Sequence, residues 1–357
     1  MKNKTIIITF SIGEGSVSDY FTELIKELVK EFKIIIISDK KHNNVNLLPK
    51  EVEVCYWPSI RPTKIKDFIF LYKLYKKKKP DMSISIFGSV NICLLVGFIF
   101  GIKNRIAWCR TLSTQFPQKK VNIIRKYIIY KFATKLITNS DATKKDLIDV
   151  FRVNKNEIIV LPNSVKNYNN CITPIDFLKD TIVYVGRLHE SKGVDTLLHA
   201  VKILTDKKIS VELNIIGTGP AYNNLHELVD YLKINKIVVF LGSKSKTEVL
   251  QYLKGAVAAI IPSKSEAFGF TVIEAMSVKT CVIGANNTGI KETIIDNETG
   301  LLFETDNPVH LASKIEFIIN NKEKKDILSQ KGYERFIAHY ESSVAISRDI
   351  QFFKNLI

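Results

Sequence analysis

Short, almost unbroken apolar runs recur along this chain, each closed by small or polar residues and followed by a stretch of helical periodicity. Thr5 to Phe10, Ile34 to Ser38, Arg105 to Cys109, Leu136 to Asn139 and Ile158 to Leu161 read as strands in the first half. Thr181 to Val185, Val211 to Ile216, Val238 to Leu241, Val257 to Ile261, Thr280 to Ile283 and Gly300 to Phe303 repeat the pattern in the second. Runs of this length without alternation are those of strands buried on both faces of a parallel sheet. Helical segments fall between them: about Tyr20 to Phe32, Lys64 to Lys79, Asn91 to Phe100, the stretch after the N-cap Ser140 or Asp141, and Asp195 to Leu204. Strand and helix in strict turn predict two doubly wound, Rossmann-like α/β sheets.

One segment tests that reading. Ile84 to Ile102 runs for nineteen residues without a charge, and a membrane-spanning helix needs about 20. Ser85, Gly88, Ser89 and Asn91 instead fit a strand ending at Phe87, a turn and a short apolar helix, which keeps the strands on either side in one sheet. Between the two halves, PNSVKNYNNCITPIDF is polar and carries two prolines. It predicts a linker near 165 to 178, a first domain over 1–168 and a second over 175–339. The last helix, about 340–357, has no strand left to serve and is expected to pack back on the first domain. The start, MKNKTIIITF, reads as a first strand and not as a signal peptide.

Composition narrows the class. At 357 residues the chain is comfortable for two cores, and 46% hydrophobic with 25% charged residues is the balance of a folded chain. The five cysteines, Cys55, Cys93, Cys109, Cys171 and Cys281, lie far apart with no CxxC or Cys/His cluster. Neither a zinc site nor a disulfide framework follows, and a reducing compartment fits. The net charge of +16 is uneven: residues 1 to 180 hold 31 Lys and Arg against 16 Asp and Glu, so the second half is close to neutral. Within the basic half, KIKDFIFLYKLYKKKK predicts an amphipathic helix with Ile65, Phe68, Ile69, Tyr72 and Tyr75 on one face and Lys76 to Lys79 at its end. Ile123 to Ile137 repeats the mixture of basic and aromatic groups. Such segments suit an anionic membrane surface. No aromatic platform for stacked bases accompanies the lysines, so nucleic acid is not expected as a partner.

The candidate chemistry gathers after the strands of the second half. Gly186, Arg187 and Lys192 follow the first strand, Gly217 and Gly219 the second, and Thr288, Gly289 and Glu292 the fifth. After the fourth comes PSKSEAFGFTVIEAM, in which Ser263 and Glu266 lie on a loop and Glu274 on the helix it enters. Phe268, Gly269, Phe270 and Thr271 stand at the helix start, where unpaired N–H groups and the positive end of the dipole favour an anion. Arg187 and Lys192 opposite that helix tip would neutralise a pyrophosphate, and Glu274 would take ribose hydroxyls. Glu266 would reach the hydroxyls of a transferred sugar. In the first half, Gly13 lies on the loop after the first strand and Arg110 after a mid-sheet strand.

VGRLHESKG, GTGP, VFLG, PSKSEAFGFTVIEAM and GIKETIIDNETGLLF resemble the donor-side signatures of glycosyltransferase family 4, the retaining nucleotide-sugar enzymes of GT-B fold. The likeness is specific from Thr181 to about Asp306 and consistent in layout elsewhere. It implies two Rossmann-like domains facing across a cleft, with the acceptor on the first and the nucleotide sugar on the second. Arg187 and Lys192 would hold the diphosphate and act with Glu266 in catalysis. Gly13, Gly186, Gly217, Gly219, Ser263, Phe268 to Thr271 and Glu274 would complete the donor site. No metal or other cofactor is implied, since protein cations replace a metal. Arg110 stands about where the family often has a histidine and is a possible acceptor or sugar contact. The expected activity is retaining transfer of a hexose or N-acetylhexosamine, from a UDP-sugar by preference, to a lipid-linked or saccharide acceptor. The setting would be bacterial surface polysaccharide, lipopolysaccharide or glycolipid synthesis, with the protein cytoplasmic and peripheral on the inner face of the membrane. A UDP-sugar epimerase or glucan synthase of the same fold, or a non-catalytic membrane-surface adaptor, are the alternatives.

Overall fold

The computed structural model describes residues 4–13, 15–38, 47–60, 64–115 and 119–356. The chain forms two compact units, Met1–Asn163 with Ser342–Ile357, and Ser164–Glu341. The boundary falls between the two prolines of the polar stretch, just after Asn163, so most of that stretch belongs to the second unit.

The first unit is built on seven parallel strands: β1 (Thr5–Thr9), β2 (Lys33–Ser38), β3 (Glu53–Tyr56), β4 (Met82–Ile86), β5 (Asn104–Cys109), β6 (Lys135–Thr138) and β7 (Ile158–Val160). Their order is β3-β2-β1-β4-β5-β6-β7. The chain therefore runs outward from β1 to β3, returns to the other side of β1, and continues outward to β7. Among the described residues, five α-helices connect them: α1 (Ser16–Leu28), α2 (Ile65–Lys78), α3 (Val90–Ile99), α4 (Lys120–Tyr130) and α5 (Asp141–Asp149). Ile6, Ile8, Ile34 and Ile36 pack under α1, while Ile7, Ile35 and Ile37 meet α2 and α3 on the other side. Both faces of the strands are covered, which is why apolar residues fill most of their positions on either side.

The second unit has six strands: β8 (Thr181–Val185), β9 (Glu212–Ile216), β10 (Val238–Gly242), β11 (Ala258–Ile261), β12 (Val282–Ala285) and β13 (Leu301–Phe303). Their order is β10-β9-β8-β11-β12-β13, with the same reversal. Its helices are α6 (Val194–Asp206), α7 (Tyr222–Leu232), α8 (Lys246–Gly255), α9 (Phe270–Ser277), α10 (Ile290–Thr293), α11 (Pro308–Asn320) and α12 (Lys322–His339). The final helix, α13 (Ser342–Leu356), belongs to the first unit. Phe353 is fully buried there beside Trp108, and the Tyr20 hydroxyl donates to the Asp349 carboxylate.

Two local differences from the sequence reading have physical causes, and one expectation, for the stretch 84–102, holds. Helix α1 begins at Ser16, four residues before the expected Tyr20, because Ser18 turns its hydroxyl back to the Gly13 N–H and tightens the loop. The apolar face expected on α2 splits in two. Leu71 and Tyr75 are buried against the sheet, whereas Ile65, Ile69 and Tyr72 are exposed. Periodicity could not separate these two stripes, since both repeat every three to four residues. The uncharged stretch 84–102 is the end of β4, a turn and the ten-residue α3. Among the described residues no helix is long and apolar enough to cross a membrane.

Candidate functional site

In the second sheet the reversal of strand order lies between β8 and β11, which pair with Ala258 opposite Ile182. In open parallel sheets the crevice beyond the carboxyl ends at such a reversal is where ligands bind. The loops leaving these two strands are zipped together. The Lys264 N–H donates to the Ser191 carbonyl at 2.9 Å. Gly193 has φ 63, and a Cβ on it would stand 2.1 Å from the Pro262 oxygen, so only glycine permits the contact. That closure brings Lys192 Nζ to 2.5 Å from Glu266 Oε2, with both side chains mostly buried.

Glu266 is fixed from a third side. Its carbonyl accepts from the Gly289 N–H at 3.0 Å and from the Thr288 hydroxyl at 2.8 Å. Gly289 is again obligatory: a Cβ would lie 2.5 Å from the Ala267 backbone. Asn287 donates to the carbonyl of the buried Ser263. The Tyr184 hydroxyl donates to the Arg187 carbonyl at 3.1 Å, and burial, then the nearby Glu266 charge, raises its pKa well above the usual phenol value.

Helix α9 starts beside this pair. Its N-cap is Gly269 at φ 91, no side chain caps it, and no acid occupies its first turn. The positive end of its dipole is therefore not offset by a side chain of the first turn and is suited to an anion. The Phe268 ring is buried, which anchors the turn and leaves its backbone as the relevant part. The Thr271 hydroxyl donates to the Val185 carbonyl at 3.3 Å and ties the helix start to β8. Glu274 is half-buried one turn further on. Arg187 is exposed at the start of the loop that follows β8.

Gly217 and Gly219 act on that loop. Added Cβ atoms would stand 1.9 Å from the Gly186 oxygen and 2.2 Å from the Leu188 oxygen. The Gly186 and Leu188 N–H groups bond to Ile216 and Thr218, each at 3.0 Å. The two glycines let the β9 loop brace the segment that carries Arg187. Sequence reasoning reaches the glycines but not this task. It does not single out Tyr184, Gly193, Lys264 or Asn287, whose placement depends on contacts between loops far apart in sequence. Lys264 bridges Asp195 at 3.1 Å and Asp306 at 3.0 Å. Partial burial opposes its charge, but the bonds to Asp306 and Asp195 prevail and raise its pKa.

Two expected residues lie in the first unit. Gly13 follows β1, with its N–H held by the Ser18 hydroxyl at 3.1 Å. Arg110 follows β5 and is buried, its guanidinium 5.6 to 5.9 Å from the ring centres of Phe21, Trp108 and Tyr20. It donates to the Asn163 side chain at the end of this unit. Burial lowers its pKa to about 10, against the opposing pull of Tyr20 and Asp349.

Comparison with known proteins gives this geometry a context. Residues 173–335 match the family described as Glycosyl transferases group 1. An uncharacterized glycosyltransferase of Methanocaldococcus jannaschii is 29% identical over 336 residues, covering 90% of this chain and 89% of that protein. The N-acetylgalactosamine-N,N'-diacetylbacillosaminyl-diphospho-undecaprenol 4-alpha-N-acetylgalactosaminyltransferase of Campylobacter jejuni is 24% identical, covering 96% of this chain and 97% of that protein. Among solved structures, HepE of Anabaena in complex with UDP superposes with a TM-score of 0.84 at 15% identity, covering 99% of this chain and 100% of that one.

Proposed function

We propose, for a chain that belongs to the glycosyl transferase group 1 family and has the GT-B fold, that it moves a hexose or N-acetylhexosamine from a UDP-sugar to a lipid-linked or saccharide acceptor with retention. The observation that carries the donor side is the Lys192–Glu266 pair at the strand-order reversal, beside the uncapped start of α9. A diphosphate placed there meets the ammonium of Lys192, the guanidinium of Arg187 and the N–H groups from Phe268 to Phe270. The same groups stabilise the negative charge that grows on the leaving diphosphate as the glycosidic bond breaks. Glu274 takes the ribose hydroxyls, and Glu266, held through its own carbonyl, takes hydroxyls of the sugar. The acceptor hydroxyl attacks from the face that the diphosphate leaves, which keeps the anomeric configuration.

The Campylobacter relative's name, with its diphospho-undecaprenol acceptor, supports a lipid-linked acceptor. The basic first unit supports the same reading. Helices α2 and α4 flank α3, and both expose apolar residues among lysines: Ile65, Ile69 and Tyr72 on one, Ile124, Tyr127 and Ile128 on the other. That combination suits an anionic lipid surface. The acceptor is assigned to the first unit and the synthesis of a surface glycan to the setting.

A thermal-shift series with UDP-, GDP- and ADP-sugars tests the donor. A ligand that binds the native state alone at 100 times its Kd stabilises by about 2.7 kcal/mol, so the UDP-sugar that fits raises Tm by several degrees. A rise with GDP- or ADP-sugars alone overturns the nucleotide assignment, and no rise with any of the three overturns the donor site.

A further inference from the structure

The first sheet has its own reversal of strand order, between β1 and β4, and a cavity of about 370 Å³ opens at the carboxyl ends of its strands. Phe10, Trp57, Ile60 and Phe87 line it together with the hydroxyl-bearing Thr9 and Ser89. Phe10 and Trp57 are buried, whereas Ile60 is 79% and Phe87 51% exposed. The lining among the described residues carries no charged side chain. Its volume is at the small end of ligand sites, which run from about 300 to 1,000 Å³.

Phe87 occupies this cavity at a conformational cost. Its φ is 53, in the left-handed region that bulky side chains avoid. Gly88, the next residue, does not take the positive φ. The turn Phe87–Ser89 is locked from both sides instead. Thr9 and Ser89 share a hydrogen bond of 2.5 Å, the Ser89 hydroxyl donates to the Ile86 carbonyl at 2.7 Å, and the Ile86 N–H donates to the Thr9 hydroxyl at 3.3 Å. A strained residue persists where its surroundings over-determine it, and such residues collect at ligand sites. Folding alone gives no reason to hold a half-exposed ring in this way.

We infer that Phe87 is a binding residue for the acceptor, presenting its ring to the apolar CH face of a neutral sugar at the acceptor's saccharide end. This rests on the reading of the chain as a sugar transferase. Three features favour a sugar ring over the rest of a lipid-linked acceptor. An uncharged lining does not suit a carrier's diphosphate, which would be desolvated there without a partner. The cavity is small for a polyisoprenoid chain. The Thr9 and Ser89 hydroxyls are already bonded to each other and to the backbone, so apart from the exposed Ser11 at the rim, which suits a sugar hydroxyl, the lining is aromatic and aliphatic and complements CH groups.

Saturation-transfer NMR on the full chain tests this, with methyl glycosides of glucose, galactose, N-acetylglucosamine and N-acetylgalactosamine as one set of probes and farnesyl phosphate as the other. At least one glycoside should receive saturation, strongest on the ring protons of one face. Phe87→Asn keeps a residue that tolerates left-handed backbone, and Phe87→Gly removes the strain entirely. Both variants should match or exceed the wild-type Tm, keep their affinity for UDP, and bind the glycoside at least about tenfold more weakly. A ring that served only packing would move the other way, with Tm falling in both variants and sugar binding unchanged. Saturation of farnesyl phosphate but of no glycoside, or equal glycoside affinity in wild type and variants, overturns the inference. Failure of the transferase reading is seen separately, as wild-type protein that binds no UDP-sugar.

Discussion

Lys192 and Glu266 form a close ion pair whose value is positional. Pairs of this kind add little to stability, because desolvation offsets much of the attraction. What the pair does is hold an ammonium at a chosen point of the crevice before any ligand arrives. Lys192→Ala should lower turnover on the order of 10²-fold, as for other removed transition-state charges, and should also lower Tm, because the mostly buried Glu266 carboxylate is left without its partner. Steady-state rates with the UDP-sugar found by thermal shift decide this, and near wild-type turnover removes Lys192 from the machinery. Glu274→Ala should act on binding, with weaker UDP affinity by calorimetry and an intact fold; unaltered affinity would refute the ribose contact. At this scale the sequence is legible for where Lys192, Glu266 and Glu274 stand along the chain, after β8, after β11 and on α9. It is not legible where the constraint is an empty space. Gly193, Gly217, Gly219 and Gly289 are required because backbone of another loop lies within about 2 to 3 Å of where a Cβ would be, and that distance exists only after folding. Arg110 is a further case: its position after β5 follows from the strand pattern, but its burial among three rings depends on Tyr20, Phe21 and Trp108 converging from two elements.

Among elements, α9 was the most readable, since a buried strand, a proline, a polar loop and a glycine announce a helix start. Its support was not. The turn Asn287–Gly289 grips the Ser263 and Glu266 carbonyls from the far side of the β11 loop, and nothing in its own composition points there. Gly289→Ala probes that support. The new methyl would meet the Ala267 and Phe268 backbone at 2.5 to 2.6 Å, and overpacking of this kind costs about 1–3 kcal/mol. Tm should fall, and UDP affinity with it, because the displaced Glu266 carbonyl moves the start of α9. Thermal melts and calorimetry of the variant check this together. An unchanged Tm would mean that the turn yields easily, and the account of how Glu266 is held would then be wrong. Helix α2 illustrates the opposite limit. Its amphipathic character is evident from spacing, but which apolar stripe faces the sheet depends on Leu71 and Tyr75 meeting Ile7, Ile35 and Cys93.

For the molecule as a whole, alternation of strand and helix determines two parallel sheets, and the charge imbalance between the halves survives folding as a basic face on α2 and α4. Exposure decides which of those charges can act. Lys76, Lys77 and Lys79 are exposed, but Lys78 is largely covered and bonded to Glu53 at 2.6 Å. Each free lysine near an anionic bilayer contributes about 1 kcal/mol. Replacing Lys76, Lys77 and Lys79 together by Gln should thus weaken co-sedimentation with phosphatidylserine-containing vesicles on the order of a hundredfold at low salt. Lys78→Gln alone should change it little. Because the attraction acts over a Debye length of about 10 Å at 0.1 M salt and about 3 Å at 1 M, high salt should erase most of the difference between wild type and the triple variant. Undiminished binding by the triple variant would reduce these lysines to charges that complement the C-terminal dipole of α2. The lipid surface would then have to be met by the apolar residues of α2 and α4 alone, and zwitterionic vesicles would bind as well as anionic ones.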